Sequence, residues 1–175
     1  MEIERKYLVA QIPENLSDFP SHQIEQGYLC TQPTVRIRRW DDQYILTIKE
    51  VQRRSMLEEL GDRPSAIVNR EEEFALTAES YARLRSKCDG VLISKTRYCI
   101  DLRRMMQDGL YVGLTAELDI FHGENDGLLL VEVEFPNEAT ANSFVAPEWF
   151  GADVSSDPHY RNSYLANRKN GPHYK

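Results

Sequence analysis

Along much of the chain, charged and apolar residues alternate with a period of two, which marks β-strands whose two faces differ chemically. The pattern predicts strands over Glu2 to Val9, Val35 to Trp40, Tyr44 to Glu50, Arg70 to Leu76, Val91 to Leu102, Ala116 to Phe121 and Leu128 to Phe135. Gln23 to Cys30 is a weaker eighth, and Asp41-Asp42 and Asp126-Gly127 supply turn chemistry. Two short helices stand between strands. Thr77 caps one that carries Tyr81, Leu84 and Cys88 on one face and stops at Gly90, and Asn137 caps another that carries Ala141, Phe144 and Val145. A third is expected from Gln52 to Leu60, ending at Gly61. Gln52 to Asn69 and Arg103 to Thr115 keep no clear period and are expected as mobile loops.

The charged faces are segregated by sign. They read Glu2, Glu4 and Lys6; Arg36 and Arg38; Lys49; Glu71 and Glu73; Lys95 and Arg97; Glu117 and Asp119; Glu132 and Glu134. The opposite faces are largely apolar, as in Val35 and Ile37, Leu46 and Ile48, or Val131, Val133 and Phe135. Residues i and i+2 of a strand lie roughly 6.5–7 Å apart on one face. Six like-signed pairs therefore sit as six clusters, although neighbouring like charges repel and a solvated face would favour mixed signs. The segregation points to a binding surface. Paired carboxylates converging from several strands make a hard-oxygen site for Mg²⁺ or Mn²⁺. Paired cations make an oxyanion site, Arg offering a fork and Lys a point charge. A polyphosphate carrying metal satisfies both sets.

If the sheet closes, these faces become the wet interior of a barrel and the apolar faces lie outside under the helices. An open sheet with its charged face in water and its apolar face against helices has the same periodicity. An outer-membrane barrel shares the inversion, but these strands are interrupted by helices and lack aromatic girdles.

Composition narrows the rest. With 175 residues, 41% of them hydrophobic, one compact domain over 1–175 is expected, since two would each have a small core. The net charge of −7 disfavours nucleic acid and anionic membranes as partners. No apolar run reaches the roughly 20 residues of a membrane helix, and Met1 leads straight into Glu2 and Glu4, so a soluble, cytoplasmic protein is expected. Cys30, Cys88 and Cys99 have neither an even count nor Cys-x-x-Cys spacing and are read as small buried hydrophobes. His22, His122, His159 and His173 lack ligand spacing and are expected at the surface.

The opening Glu2-Ile3-Glu4-Arg5-Lys6 resembles the Glu-x-Glu-x-Lys signature of the CYTH domain, or triphosphate tunnel metalloenzyme, superfamily. Arg36-Ile37-Arg38, Thr47-Ile48-Lys49, Glu71-Glu72-Glu73, Lys95-Thr96-Arg97, Glu117-Leu118-Asp119 and Glu132-Val133-Glu134 resemble its later motifs in order, over roughly residues 1–168. The resemblance implies an α+β fold: a closed eight-stranded antiparallel barrel, or tunnel, with a hydrophilic interior and helices outside. It implies a small-molecule triphosphate as substrate, with one or two divalent cations, Mg²⁺ or Mn²⁺. By the same analogy Glu2, Glu4 and Glu134 are the first choice as metal ligands. Glu71, Glu73, Glu117, Asp119 and Glu132 complete the acidic wall, hold a second cation or position the attacking water, and Lys6, Arg36, Arg38, Lys49, Lys95 and Arg97 clamp phosphates. Glu4, Lys6, Glu132 and Glu134 stand closest to the chemistry. The short approach Gln26-Gly27-Tyr28-Leu29 to Arg36, with Pro147-Glu148-Trp149-Phe150-Gly151, resembles the small bacterial inorganic tripolyphosphatases. The implied reaction is hydrolysis of tripolyphosphate to pyrophosphate and phosphate. A thiamine or nucleoside triphosphatase, a class IV-type adenylate cyclase and a non-catalytic polyphosphate-binding module share the same cation pairs. One departure stands near the end, where Asp157-Pro158-His159-Tyr160-Arg161-Asn162 has His159 in place of the family's usual Arg.

Overall fold

The computed structural model describes residues 3–51, 69–106 and 111–167. The alternating segments form β1 (Ile3–Val9), β2 (Ser21–Thr31), β3 (Thr34–Trp40), β4 (Gln43–Val51), β5 (Asn69–Ala75), β6 (Asp89–Asp101), β7 (Thr115–His122) and β8 (Leu129–Phe135). A ninth strand, β9 (Phe150–Asp153), joins them in one antiparallel sheet of order β5-β4-β3-β2-β6-β7-β8-β1-β9. Trp40 and Gln43 pair across the Asp41-Asp42 turn, where Asp41 has φ of 51°. Asp is one of the few side chains that accept this left-handed turn.

Two differences from the eight-stranded closed barrel emerge. The strand count is nine, because Phe150–Asp153 pairs with β1. Among the described residues no hydrogen bonds join β5 to β9, so the sheet is not closed by a continuous ladder. Three strands separate β2 from β1 in the sheet, yet Leu8 of β1 packs into the same apolar cluster as Tyr28 of β2. The face carrying the charged rows is the concave one.

The convex face holds the larger core: Tyr7, Ile100, Leu118, Val131, Val133 and Phe135, covered by Phe144 after α3 (Glu138–Ser143) and by Leu102 of α2 (Leu102–Met106). Here the apolar strand face lies outside and is roofed by helices, as expected. Arg103 to Thr115, expected as a mobile loop, is partly roof as well. It begins in α2, and Tyr111 and Leu114 are buried, with the Tyr111 hydroxyl donating to the Val145 carbonyl at 3.0 Å. One short turn of helix carries no readable period. α1 (Ala78–Arg85) starts at the Thr77 cap, whose Oγ1 accepts from Ser80 N, but it ends at Arg85, and Gly90 already belongs to β6. The helix expected from Gln52 to Leu60 lies outside the described residues. All three cysteines are free and half-buried, where full burial was expected.

The interior is not hydrophilic throughout. Each charged row continues at the same parity into an apolar residue: Lys6 into Leu8, Lys95 into Ile93, Asp119 into Phe121, Glu132 into Leu130. These side chains and Tyr28 form a second core on the concave side. Val154 and Ala166, from the segment that leaves β9 and ends in α4 (Asn162–Leu165), complete it. That segment is tied to β1 by Val154 N to Lys6 O at 2.8 Å and to β6 by Val91 N to Ala166 O at 2.8 Å.

Gly90 makes the second tie possible. Its φ is +72°, and a Cβ there would stand 2.0 Å from the Ala166 carbonyl oxygen. Gly90→Ala is expected to lower stability by more than the ~1 kcal/mol of a strained φ alone, since the C-terminal segment must also shift. A thermal melt checks this; an unchanged melting temperature would contradict the close approach.

Candidate active site on the concave face

Antiparallel register brings the charged rows together. Glu4 lies opposite Glu134, and Lys6 opposite Glu132, in the β1–β8 pair. Glu117 lies opposite Glu132 between β7 and β8, and Arg97 opposite Asp119 between β6 and β7. On the other wall, Tyr28 faces Arg36, Thr34 faces Lys49, and Lys49 faces Glu71. Thirteen of the fourteen residues singled out from sequence thus occupy one concave surface. Glu2 is the exception, lying outside the described residues.

The centre is an ion network. The Arg97 guanidinium grips Asp119 with both arms, Nε to Oδ1 at 2.7 Å and Nη2 to Oδ2 at 2.6 Å, and Nη2 also donates to Glu132 Oε2 at 2.8 Å. Arg97 Nη1 reaches Glu117, and the Lys95 ammonium reaches Asp119. Lys95 and Asp119 are almost wholly enclosed, at 2% and 1% side-chain exposure. Lys6 Nζ pairs with Glu132 Oε1 at 2.8 Å and lies 3.4 Å from the Tyr160 carbonyl. Burial pushes the Glu132 carboxyl up, but Lys6, Lys95 and Arg97 outweigh it and hold it down to about 2. At Glu117 burial wins over Arg97, with Glu132 and Asp119 adding repulsion, and its pKa is raised. Lys95 is lowered, by burial first, against the pull of Asp119.

The β3–β4 wall is different. Arg36 Nη2 donates to Thr47 Oγ1 at 3.1 Å, and Thr47 in turn donates to Glu73 Oε1 at 3.1 Å, while the Arg36–Glu73 separation is a loose 3.9 Å. No carboxylate among the described residues is within salt-bridge distance of Arg38, and the Nε atoms of both arginines are buried without a hydrogen-bond partner. Burial, then Arg36 and Arg97, lower the Arg38 pKa, so cations crowd there. A cluster of buried, under-used guanidinium donors is a site built for an anion.

Sequence reasoning missed Thr47 as the link between Arg36 and Glu73. The Tyr28 hydroxyl meets Gln26 Nε2 at 3.3 Å, and Tyr28 lies opposite Arg36 in the β2–β3 register. The departure at His159 put a role for Arg161 in doubt, yet Arg161 lines a cavity of about 130 Å³ with Glu4, Lys6, Ser155 and Asp157. His159, in the place of the family's Arg, instead packs edge-on against Tyr164 and pairs with Asp157 at 2.6 Å.

For a divalent cation, Glu4 and Glu134 are the fitting pair. They lie opposite each other in the β1–β8 register and are both exposed, so that their carboxylate oxygens can converge on one ion. Among the described residues no three carboxylate, His or Cys side chains gather into a ligand cluster. Two carboxylates still suit Mg²⁺ or Mn²⁺, because such ions keep waters and take substrate phosphate oxygens as further ligands.

The sequence is 33% identical over 169 residues to the inorganic triphosphatase of Nitrosomonas europaea, covering 94% of this chain and 96% of that protein. The chain belongs to the inorganic triphosphatase family. A second family member, the inorganic triphosphatase of Acetivibrio thermocellus, is 30% identical over 168 residues, covering 94% and 92% of the two chains. The crystal structure of the inorganic triphosphatase NE1496 superimposes with a TM-score of 0.69 at 32% identity, covering 95% of this chain and 94% of that one. The resemblance to the triphosphate tunnel superfamily therefore holds across fold and sequence, and the open β5–β9 edges are compatible with it. No protein-family model matches the sequence. Among the described residues no helix is long and apolar enough to cross a membrane.

Because the folded pKa of Glu132 lies below its ordinary value of 4.5, its contribution to stability is present above that value and is lost as pH falls towards about 2. Urea unfolding followed between pH 5 and pH 2 is expected to lose on the order of 1–3 kcal/mol more in the parent than in Glu132→Gln. Parallel pH profiles for the two proteins would contradict the network.

Proposed function

We propose that this member of the inorganic triphosphatase family is a divalent-metal-dependent hydrolase that cleaves inorganic tripolyphosphate to pyrophosphate and phosphate on the concave face. The observation that carries the reading is the β3–β4 wall, where the half-buried Arg36 and Arg38 guanidinium groups keep buried Nε donors without partners. A polyanion supplies the missing acceptors.

Charge balance supports a metal partner. Of the residues singled out from the sequence, the concave face carries six cations, Lys6, Arg36, Arg38, Lys49, Lys95 and Arg97, against seven described carboxylates, Glu4, Glu71, Glu73, Glu117, Asp119, Glu132 and Glu134. A triphosphate adds several negative charges to a face already near neutrality, which is favourable only with added positive charge. Glu4 and Glu134, with Glu2, are the proposed ligands of Mg²⁺ or Mn²⁺. When bound, the metal neutralises phosphate oxygens and draws electron density from the phosphorus.

The remaining steps belong to the chain. Arg36 and Arg38 bind equatorial oxygens of the triphosphate from one wall, and Lys6 and Lys49 approach from the flanks. Arg97 and Lys95 add positive potential at the floor. Both oxygens of Asp119 are already taken by Lys95 and Arg97, so Asp119 serves to hold those cations in place. Glu117 is more open, at 37% side-chain exposure, and its raised pKa suits it to orient water and accept a proton. The water oxygen bonds to phosphorus, the bridging P–O bond breaks, and its electron pair leaves with the departing phosphate group. No covalent protein intermediate is required.

Phosphate release from tripolyphosphate, pyrophosphate, thiamine triphosphate and ATP, each with Mg²⁺, Mn²⁺ or EDTA, tests the reading. Tripolyphosphate is expected to turn over fastest and EDTA to stop it. Arg38→Ala is expected to lower kcat/KM by about 10²–10³-fold, the cost of a charged donor that binds developing charge. Glu4→Gln is expected to abolish metal-dependent turnover in a protein that still melts cooperatively. Undiminished turnover in both variants would remove the site from consideration.

A further inference from the structure

Three residues form one row across β3, β4 and β5: Arg36 lies opposite Thr47, and Thr47 lies opposite Glu73. The Thr47 hydroxyl is the middle of a chain of two hydrogen bonds. It accepts from Arg36 Nη2 at 3.1 Å and donates to Glu73 Oε1 at 3.1 Å, which fixes the direction of its one proton. The guanidinium and the carboxylate themselves stop 3.9 Å apart. In the neighbouring row of β4 and β5 no hydroxyl intervenes: Lys49 lies opposite Glu71, and the two close to 3.0 Å. In the row on the other side, Arg38 lies opposite Ile45 and Ile45 opposite Ala75, so that row offers no carboxylate at all. Arg38 and Arg36 thus stay unspent by different means, and for Arg36 the means is a single hydroxyl.

Resting on the triphosphatase reading above, we propose that Thr47 is a positioning residue of the anion-binding wall: its hydroxyl keeps Glu73 from capturing Arg36 and so leaves that guanidinium free to meet the substrate. Thr47 is 2% exposed, so water does not readily stand in for its hydroxyl. Glu73 has room to move, since its side chain is 52% exposed against 17% for Arg36. Without the hydroxyl, Arg36 Nη2 loses its acceptor, and the next acceptor in the row is the Glu73 carboxylate. A guanidinium fork closed on a carboxylate fills the donors that a phosphate would use. The substrate then has to displace Glu73 before it binds, so affinity falls while the reaction of bound substrate changes little. In this role Thr47 acts through Arg36 and needs no contact with the reacting atoms.

The test is a double-mutant cycle on the whole protein. Thr47→Val replaces the hydroxyl by a methyl group, Thr47→Ser keeps the hydroxyl, and each is made in the parent and in Glu73→Gln, whose amide carries no charge with which to hold Arg36. KM and kcat are measured with tripolyphosphate and Mg²⁺, and Kd by calorimetry with Mg²⁺ and a methylene-bridged tripolyphosphate analogue, which cannot be hydrolysed. For Thr47→Val, KM and Kd are expected to rise about 10-fold with kcat within about 3-fold of the parent. Thr47→Ser is expected to recover both to within about 2-fold, and the Thr47→Val penalty is expected to shrink to about 3-fold or less in the Glu73→Gln background. Parent-like affinity in Thr47→Val overturns the proposal, as does a Thr47→Ser as weak as Thr47→Val. A full penalty that persists in the Glu73→Gln background also overturns it, because a merely structural threonine would behave in that way. If Thr47→Val does not melt cooperatively, Thr47→Ala, which also lacks the hydroxyl, takes its place in the cycle. A parent that binds the analogue but leaves tripolyphosphate intact removes the hydrolase reading, while the Kd values still decide the role of Thr47. A parent that binds neither compound removes both.

Discussion

The bond between Arg97 and Asp119 is the interaction on which the concave face depends. Enclosing a carboxylate as fully as Asp119 costs several kcal/mol, and a fork from Arg97 with an ammonium from Lys95 offsets that cost by filling its lone pairs. Arg97 then reaches on to Glu132 and Glu117, and Glu132 is shared with Lys6 of β1. Four strands, β6, β7, β8 and β1, are tied through one guanidinium and its neighbours. Hydrophobic residues of similar volume would hold a sheet together as well or better, so the network is better explained as a rigid base of fixed charge than as a source of stability.

The two walls differ in how far their charges are spent. Around Arg97 the cations are matched to carboxylates, and the geometry is set before any ligand arrives. On β3 the guanidinium groups of Arg36 and Arg38 are steered by Thr47 and by backbone register, with donors left over. Preorganised donors of this kind need no rearrangement when negative charge appears beside them, and that is where electrostatic catalysis gains most. The matched wall supplies rigidity and the under-matched wall supplies affinity.

Much of this was legible in the sequence, for a simple reason. A strand has a side-chain period of two, so a like-signed pair at i and i+2 is a statement about one face that survives any detail of folding. The places of β1 to β8, within a residue or two at most ends, and the inward set from Glu4 to Glu134 followed from it, while the caps Thr77 and Asn137 followed from their side-chain oxygens. What escaped had no period to read. β9 is four residues long, α2 and α4 are single turns, and α1 ends at Arg85, which pairs with Glu25, short of Gly90. Strand count and closure depend on which edges meet, and edge meeting is a property of the whole sheet.

The second core on the concave side escaped for a different reason, and it shows how a period can mislead. Classing each strand face as charged or apolar from its most conspicuous residues hides a change of character along the same face. Leu8, Ile93, Phe121 and Leu130 share parity with Lys6, Lys95, Asp119 and Glu132, and register then stacks the four apolar residues at one end of the cavity. The same packing anchors α4 through Ala166 and so fixes where the C-terminal segment crosses. Arg161 lies on that crossing segment and is brought to the wall of Glu4 and Lys6, while His159, two residues earlier, turns away to Asp157 and Tyr164. Val154 belongs both to this apolar cluster and to the cavity lined by Glu4, Lys6 and Arg161, so hydrocarbon packing and the charged wall meet on the same crossing segment.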